Sequence, residues 1–345
     1  MTRRRPRILF VHSRNVRFHQ IDRAVLAEIG EVRDWYQPGR WRNPLRLLPL
    51  VARSDLIFGW FISWHAVLPI LFGRLLGVPT VWVVGGFDTA RMPEIGYGLQ
   101  RGALARRVSR LLMRTVTRLI TNSQWSAREL ATNVGIEPAH VTVVYHGLPD
   151  TAADVDLRAP RDALALTVGV VARDNFERKG LLPFVRAAAH LADVRFVVAG
   201  PWQGDAVDVL RSQATPNVEF TGWLADDVLD ALYRRAAVYV QASRHEGFGL
   251  SVAEAMLAGC IPVVTRAGAL PELVDEVGLA VSQPDPRELA DAIVRAMSMG
   301  EEARRAVRRR VLDHFPLSIR REGIRSVVVP LLRRRSAVDG HRATG

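Results

Sequence analysis

The sequence predicts an α/β protein made of two doubly wound parallel sheets, and three observations carry that prediction. Short Val/Ile-rich runs alternate with longer amphipathic stretches along the chain. The runs are nearly continuous in apolar residues, as strands covered on both faces are, and do not alternate polar with apolar. The length, 345 residues of which 48% are apolar, supplies two cores at ~100–200 residues per domain.

Taken in order, Arg7 to Val11 reads as a strand and Ile21 to Ile29 as a helix. Leu56 to Phe61 is a buried strand and Ala66 to Leu76 a core helix, with Gly77-Val78-Pro79 turning into a strand over Thr80 to Val84. Leu99 to Ile120 reads as a helix or helix pair, its end overlapping a strand read over Leu119 to Thr121, which precedes the capping pair Asn122-Ser123. Val141 to Tyr145 is again strand-like. Further on, strands are expected at Leu166 to Val171, Arg195 to Ala199, Val218 to Phe220, Val238 to Gln241 and Ile261 to Val264. The helices between them are read over Leu181 to Leu191, Asp205 to Gln213, Asp226 to Arg235 and Ser251 to Ala258. The segment Gly147 to Arg161, rich in Pro, Asp and Ala, separates the two alternating blocks. The expected division is therefore residues 1–150 and 151–335, with a last helix at about 316–334 packing back on the first domain and a polar tail over 336–345. Ligands of such sheets bind at the carboxyl ends of strands, here in the cleft between the domains.

Composition excludes a disordered, collagenous or repeat-dominated chain. A single cysteine, Cys260, excludes a disulfide framework and a Cys-rich metal site. The net charge of +12 is uneven: residues 1–150 carry 21 arginines against 10 acids, and the remainder 26 basic against 25 acidic side chains. The first half is thus the part that feels an anionic partner. The basic start, Met1 to Arg7, is followed by too short an apolar run for a secretory signal. Leu56 to Gly73 has no formal charge, but Gly59, Ser63, His65 and Pro69 interrupt it, which argues against a membrane span. A cytoplasmic chain, peripheral at the inner membrane face, is the expectation.

The chemistry concentrates after the strand ending at Gln241, in Glu246-Gly247-Phe248-Gly249-Leu250-Ser251. Gly247 and Gly249 let a ligand approach the main chain, and a helix opening at Leu250 or Ser251 offers unpaired N–H groups to a phosphate. Glu246 and Glu254 flank this point, and each calls for hydroxyl donors of the kind a sugar supplies. Alternatively the two carboxylates are the acid and base of a glycosidase, ~5–9.5 Å apart. A second cluster follows the strand ending at Val171: Arg173, then Lys179-Gly180. Lys179 is the only lysine among 47 basic residues, a compact charge suited to a phosphate oxygen, with Arg173 able to add a forked contact. Together the clusters describe a diphosphate site with two cations and a helix end. No Asp-x-Asp metal motif stands beside it.

The ordered series Val171-Ala172-Arg173, Lys179-Gly180, Val198-Ala199-Gly200-Pro201, Phe220-Thr221-Gly222, Ser243, Glu246-Gly247-Phe248-Gly249-Leu250, Glu254-Ala255-Met256, Gly259, Pro262-Val263-Val264 and Glu272 makes residues 165–285 resemble the C-terminal domain of the retaining glycosyltransferases of family 4 (group 1), which have the two-domain GT-B fold. The resemblance implies that Glu246 lies by the donor sugar and Glu254 hydrogen-bonds the ribose. It implies further that Arg173 and Lys179 neutralise the diphosphate, helped by main-chain amides around Gly249 to Ser251. It also implies a nucleotide diphosphate sugar as donor substrate with no separate cofactor, transfer with retention and without metal, and a hydroxyl of a glycan or lipid-linked acceptor. Trp223 and Leu224 are candidates to line the base pocket.

The first half matches that family more loosely, through Asn122-Ser123 and Val143-Val144-Tyr145-His146-Gly147. The Gly-rich turn usual after the first strand reads His12-Ser13-Arg14-Asn15, and the usual His after Thr80 to Val84 is replaced by Gly85. Asp88 or His12 is expected to serve the acceptor side. At 100° per residue Arg107, Arg110, Arg114 and Arg118 fall within about 80° of one another, beside Leu104, Val108, Leu111, Leu112 and Leu119. Arg40, Arg42 and Arg46 interleave with Trp41, Leu45, Leu47 and Leu48. An anionic membrane surface fits this pattern; a solvated basic face is the other reading. No nucleic-acid module is present. A phosphorylase, a nucleotide-sugar epimerase or a non-catalytic anion-binding protein on the same fold remain the alternatives.

Overall fold

The computed structural model describes residues 4–39 and 43–342, of which 336–342 are described by backbone only. Arg40, Trp41 and Arg42 lie outside the described residues. The chain divides into two compact units, one of residues 1–147 with 317–345 and one of residues 148–316.

The first unit holds strands β1 (Arg7–His12), β2 (Glu31–Tyr36), β3 (Leu56–Trp60), β4 (Thr80–Val84), β5 (Arg118–Thr121) and β6 (Val141–Val143), all parallel, in the order β2-β1-β3-β4-β5-β6. The two-residue period of a strand sends alternate side chains to opposite faces. Leu9, Val11, Ile57, Trp82 and Val84 pack under the helices Pro44–Ala52, Trp64–Leu75 and Ala103–Thr115. Ile8, Phe10, Phe58, Val81 and Val83 pack under Arg17–Ile29 and Leu317–Arg342. Both faces are therefore dry, which is why these strands read as unbroken apolar runs.

The long helix Leu317–Arg342 belongs to this unit and runs through most of the segment read as a polar tail. Its Arg320 is 1% exposed and forms a bidentate pair with Asp22, also 1% exposed, at 2.8 and 2.5 Å. Arg320 also donates to the carbonyl of Val144 at 2.6 Å, and the Trp60 indole donates to Asp22 at 2.9 Å. Every polar group of the pair has a partner, as a buried ion pair requires.

The second unit holds β7 (Asp162–Val168), β8 (Arg195–Ala199), β9 (Val218–Gly222), β10 (Ala236–Gln241), β11 (Ile261–Thr265) and β12 (Leu279–Val281), again parallel, ordered β12-β11-β10-β7-β8-β9. The order reverses between β7 and β10, the switch point where open α/β sheets leave room for a ligand at the carboxyl ends.

Two further readings differ from the structure. The stretch Leu99 to Ile120 is not one helix: a 3-10 turn (Leu99–Arg101) leads into Ala103–Thr115, and the chain then enters β5. Arg118 therefore sits in a strand, donating to the carbonyl of Thr117 at 2.9 Å, and Leu119 is sheet core; neither is on the basic helix. Arg107, Arg110 and Arg114 are exposed on it. The strand expected at Leu166 to Val171 begins earlier, at Asp162, and ends at Val168, because Gly169 starts the loop that carries the basic cluster. Leu148 to Pro160, within the segment that separates the two blocks, contains no helix or strand, and its Ala152 and Leu157 are buried. Among the described residues no helix is long and apolar enough to cross a membrane.

Candidate functional site

Two loops meet at the switch point of the second unit. One leaves β7 and carries Arg173 to Gly180; the other leaves β10 and carries Ala242 to Gly249. They are joined main chain to main chain, the amide of Arg244 donating to the carbonyl of Arg178 at 2.8 Å. Gly180 makes this approach possible: a Cβ there would lie 2.0 Å from the carbonyl oxygen of Ala242, and its φ of +67° suits glycine.

The contact delivers Lys179 and Glu246 to one another. Lys179 Nζ stands 3.5 Å from Glu246 Oε2, with side chains 20% and 18% exposed. The stem of Lys179 runs over Gly169, whose missing side chain leaves room for it. Glu246 is the end of a polar chain: Tyr239 donates to Gln241 at 3.1 Å, Gln241 to Ser243 at 2.7 Å, and Ser243 to Glu246 at 3.3 Å. The carbonyl of Glu246 accepts the amide of Ala269 at 2.9 Å. Burial alone would raise the Glu246 carboxyl, but Lys179, then Arg178 and His245, outweigh it and hold the group below its usual range. Glu246 is thus ionised at neutral pH, and the pair is preorganised.

Gly249, at φ +103°, caps the helix Leu250–Leu257 without any side-chain hydrogen bond to its first amides. Gly247, Gly249, Leu250 and Ser251 therefore form a short main-chain edge beside Glu246, of the kind that binds anions. Phe248 does not join it: the ring is buried and packs edge-on against Phe315 at 5.3 Å, which anchors the loop from behind. Glu254, one turn into the helix, is half-buried and accepts from the Tyr233 hydroxyl at 3.5 Å. Burial and that carboxylate push the Tyr233 hydroxyl well above its ordinary value.

Arg173 is placed differently from Lys179. Its guanidinium forks onto Asp205, at 3.1 and 2.6 Å, on the surface. Asp205 gave no signal as a partner in the sequence, because the pairing joins two loops after different strands. Trp223 is exposed, as is Trp202, over whose ring Arg211 lies at 4.7 Å. Cys260 is buried, donates to the carbonyl of Tyr233 and has its thiol pushed up to about 12 by burial.

The first unit has its own polar cluster at the carboxyl ends of β1, β3 and β4. His12 and His19 both donate through Nδ1 to the carbonyl of Arg14, at 2.7 and 2.8 Å. His65 donates to the carbonyl of Trp60 at 2.7 Å and lies 2.6 Å from Ser63 Oγ. Burial lowers His19 to about 4 and lowers His65 and His146 as well. Asp88 is buried, and burial drives its carboxyl well above the usual range despite the amides of Ile62 and Gly85. Its Oδ2 finds no hydrogen-bond partner among the described residues. Gly85 has a steric reason: a Cβ there would lie 2.5 Å from Oδ1 of Asn122. The Asn122–His146 contact at 3.3 Å and the edge-on packing of His19 against His12 at 5.8 Å carry no local sequence signal, since isolated histidines read as core packing. Among the described residues no cluster of three or more His, Cys, Asp or Glu is arranged to hold a metal ion.

Comparison with known proteins bears on this arrangement. Residues 165–299 match the family described as glycosyl transferases group 1, and residues 2–151 match glycosyltransferase family 4. The MMP alpha-(1->4)-mannosyltransferase of Mycolicibacterium hassiacum is 29% identical over 215 residues, covering 59% of this chain and 51% of that protein. The D-inositol 3-phosphate glycosyltransferase of Mycobacterium bovis is 34% identical over 191 residues, covering 51% and 40%. The chain thus spans about half the length of the curated relatives it matches. Among solved structures, Anabaena HepE with UDP and glucose superposes with a TM-score of 0.75 at 17% identity, covering 93% of this chain and 99% of that one. The sucrose-phosphate synthase of Thermosynechococcus elongatus gives 0.74 at 17% identity, covering 96% and 100%. The two sheets are those of the GT-B fold. With one matched domain model on each of its two units, the chain belongs to the group 1 (family 4) glycosyltransferases.

Proposed function

We propose that the protein transfers a sugar from a nucleoside diphosphate sugar to an acceptor hydroxyl, with retention at the anomeric carbon and without a metal ion. The observation that carries this reading is the Lys179–Glu246 pair at the switch point, beside an uncapped helix start. Lys179 neutralises the diphosphate, and Arg173 assists by exchanging Asp205 for a phosphate oxygen. The amides from Gly249 to Ser251 complete the anion site, Glu246 orients the sugar through its hydroxyls, and Glu254 holds the ribose. The bond from the anomeric carbon to the phosphate oxygen breaks while the acceptor oxygen bonds on the same face, its proton passing to the departing phosphate. Stabilisation of the leaving group is electrostatic, from charges fixed before the reaction. Asp88 and His12 lie on the acceptor side in this reading. HepE, whose structure contains UDP and glucose, supports a donor of this class.

Calorimetry with UDP, GDP and ADP tests the donor site: one of them is expected to bind, and failure of all three discards the reading. Turnover should release the nucleotide only when an acceptor is present and should persist in excess chelator. A phosphorylase would require inorganic phosphate instead.

We also propose that Arg107, Arg110 and Arg114 attract an anionic membrane surface, each contributing ~1 kcal/mol. Flotation with vesicles of anionic lipid at low salt should recover the protein, and neutral vesicles should not. Equal recovery with both removes the electrostatic account.

A further inference from the structure

The helices Pro44–Ala52, Trp64–Leu75 and Ala103–Thr115 lie side by side on one face of the first sheet. Their inner sides are core, yet their outer sides remain apolar: Leu104 is 76% exposed, Leu111 66% and Trp64 64%. A water-facing surface normally carries polar residues in these places. The only charges on the three helices are six arginines; no Asp or Glu occurs in any of them. An arginine-and-leucine surface with no carboxylate complements an anionic lipid interface better than a protein of mixed charge.

Between the second and third of these helices runs a groove of about 310 Å³, lined by Ile62, Val67, Leu99, Leu104, Val108 and Leu112. Its volume is at the low end of the ~300–1,000 Å³ typical of ligand pockets. The groove wall connects directly to the buried polar cluster. The amide of Ile62 donates to the Asp88 carboxylate. Ser109, also on the wall, hydrogen-bonds Gln100, whose side-chain amide donates to the Asp88 carbonyl at 2.6 Å. The wall of the apolar slot is thus hydrogen-bonded to the loop carrying Asp88, itself 1% exposed, at the carboxyl end of β4.

We propose that this groove holds the hydrocarbon chain of a lipid acceptor, with the acceptor's polar head lying toward Asp88. The inference rests on the transferase reading and supplies its acceptor class. The slot offers hydrocarbon walls and needs no hydrogen-bonding partner along its length, so each methylene taken from water adds to affinity. The neighbouring arginines bring the protein to the anionic interface that presents such a lipid.

Binding of glucose, hexyl glucoside and octyl glucoside, the last two below their micelle concentrations, tests this on the full chain. Affinity should rise with chain length, by up to about fourfold per methylene (~0.8 kcal/mol each). Ala105→Trp, which fills the slot, should weaken octyl glucoside at least tenfold. Leu104→Asp acts at an exposed position where folding is not at stake and should do the same. Affinity that does not change with chain length, or undiminished binding by both variants, overturns the proposal. So does self-association that Leu104→Asp disperses in a protein that binds no octyl glucoside, since a second copy would then own the groove. Nucleotide binding in the second unit is measured separately, so failure of the donor reading and failure of the groove are told apart.

Discussion

Lys179→Ala is expected to lower turnover by about two to three orders of magnitude while the protein stays folded. Nζ is the ammonium nearest Glu246, at 3.5 Å, and stands where the proposed diphosphate develops charge as it leaves. Loss of one preorganised donor of this kind costs ~2.7–4 kcal/mol at the transition state. The fold should tolerate the change, because Arg178, His245 and the Ser243 hydroxyl still face Glu246. Lys179→Arg should recover only part of the rate. The stem lies against Gly169, at 3.3 Å from where a Cβ would be, and a planar guanidinium fits there less well than an ammonium. Steady-state kinetics with circular dichroism as the folding control decides the matter: full activity in Lys179→Ala removes the lysine from the mechanism.

The largest effect on stability is expected from Asp22→Ala. Asp22 accepts two bonds from Arg320 and one from Trp60, and both charged side chains are 1% exposed, so its removal strands a buried guanidinium. Breaking such a pair from one side costs ~3–5 kcal/mol, a large share of the ~5–15 kcal/mol typical of a folded domain. The denaturant midpoint of the transition that reports the first unit should fall accordingly. The double variant Asp22→Leu with Arg320→Met should regain much of the loss, since neither charge then remains to be solvated. A change below about 1 kcal/mol in Asp22→Ala would show that water reaches Arg320 after all.

The buried strands were legible because burial on both faces leaves a continuous apolar run: Arg195–Ala199 begins and ends where the pattern does, as does the amphipathic helix Asp226–Arg235 with its own period. The edge strand β2, Glu-Val-Arg-Asp-Trp-Tyr, escaped notice because only Trp35 in it is buried. Overextension of the basic helix past Thr115 has a related cause. Arg118 keeps the helical spacing of arginines, whereas Val116 and Thr117 to Thr121 carry the β-branched residues of a strand start. At the site, Lys179 and Glu246 could be singled out by local chemistry, since each stands beside glycines in a loop. Their mutual contact could not, because it depends on which strands are neighbours at the switch point. The pairing of Arg173 with Asp205, and the burial of Phe248, lie beyond local sequence for the same reason.

Asp22 and Arg320 stand 298 positions apart, although both belong to the same unit. During synthesis at ~5–20 residues per second, the nascent amino-terminal sheet therefore waits roughly 15–60 s for the helix that covers Ile8, Phe10 and Phe58. The contiguous stretch Leu148–Pro316 emerges whole in that interval and can mature first. Until that helix emerges, the apolar face of the amino-terminal sheet lacks the cover that Leu317–Arg342 supplies from its own chain.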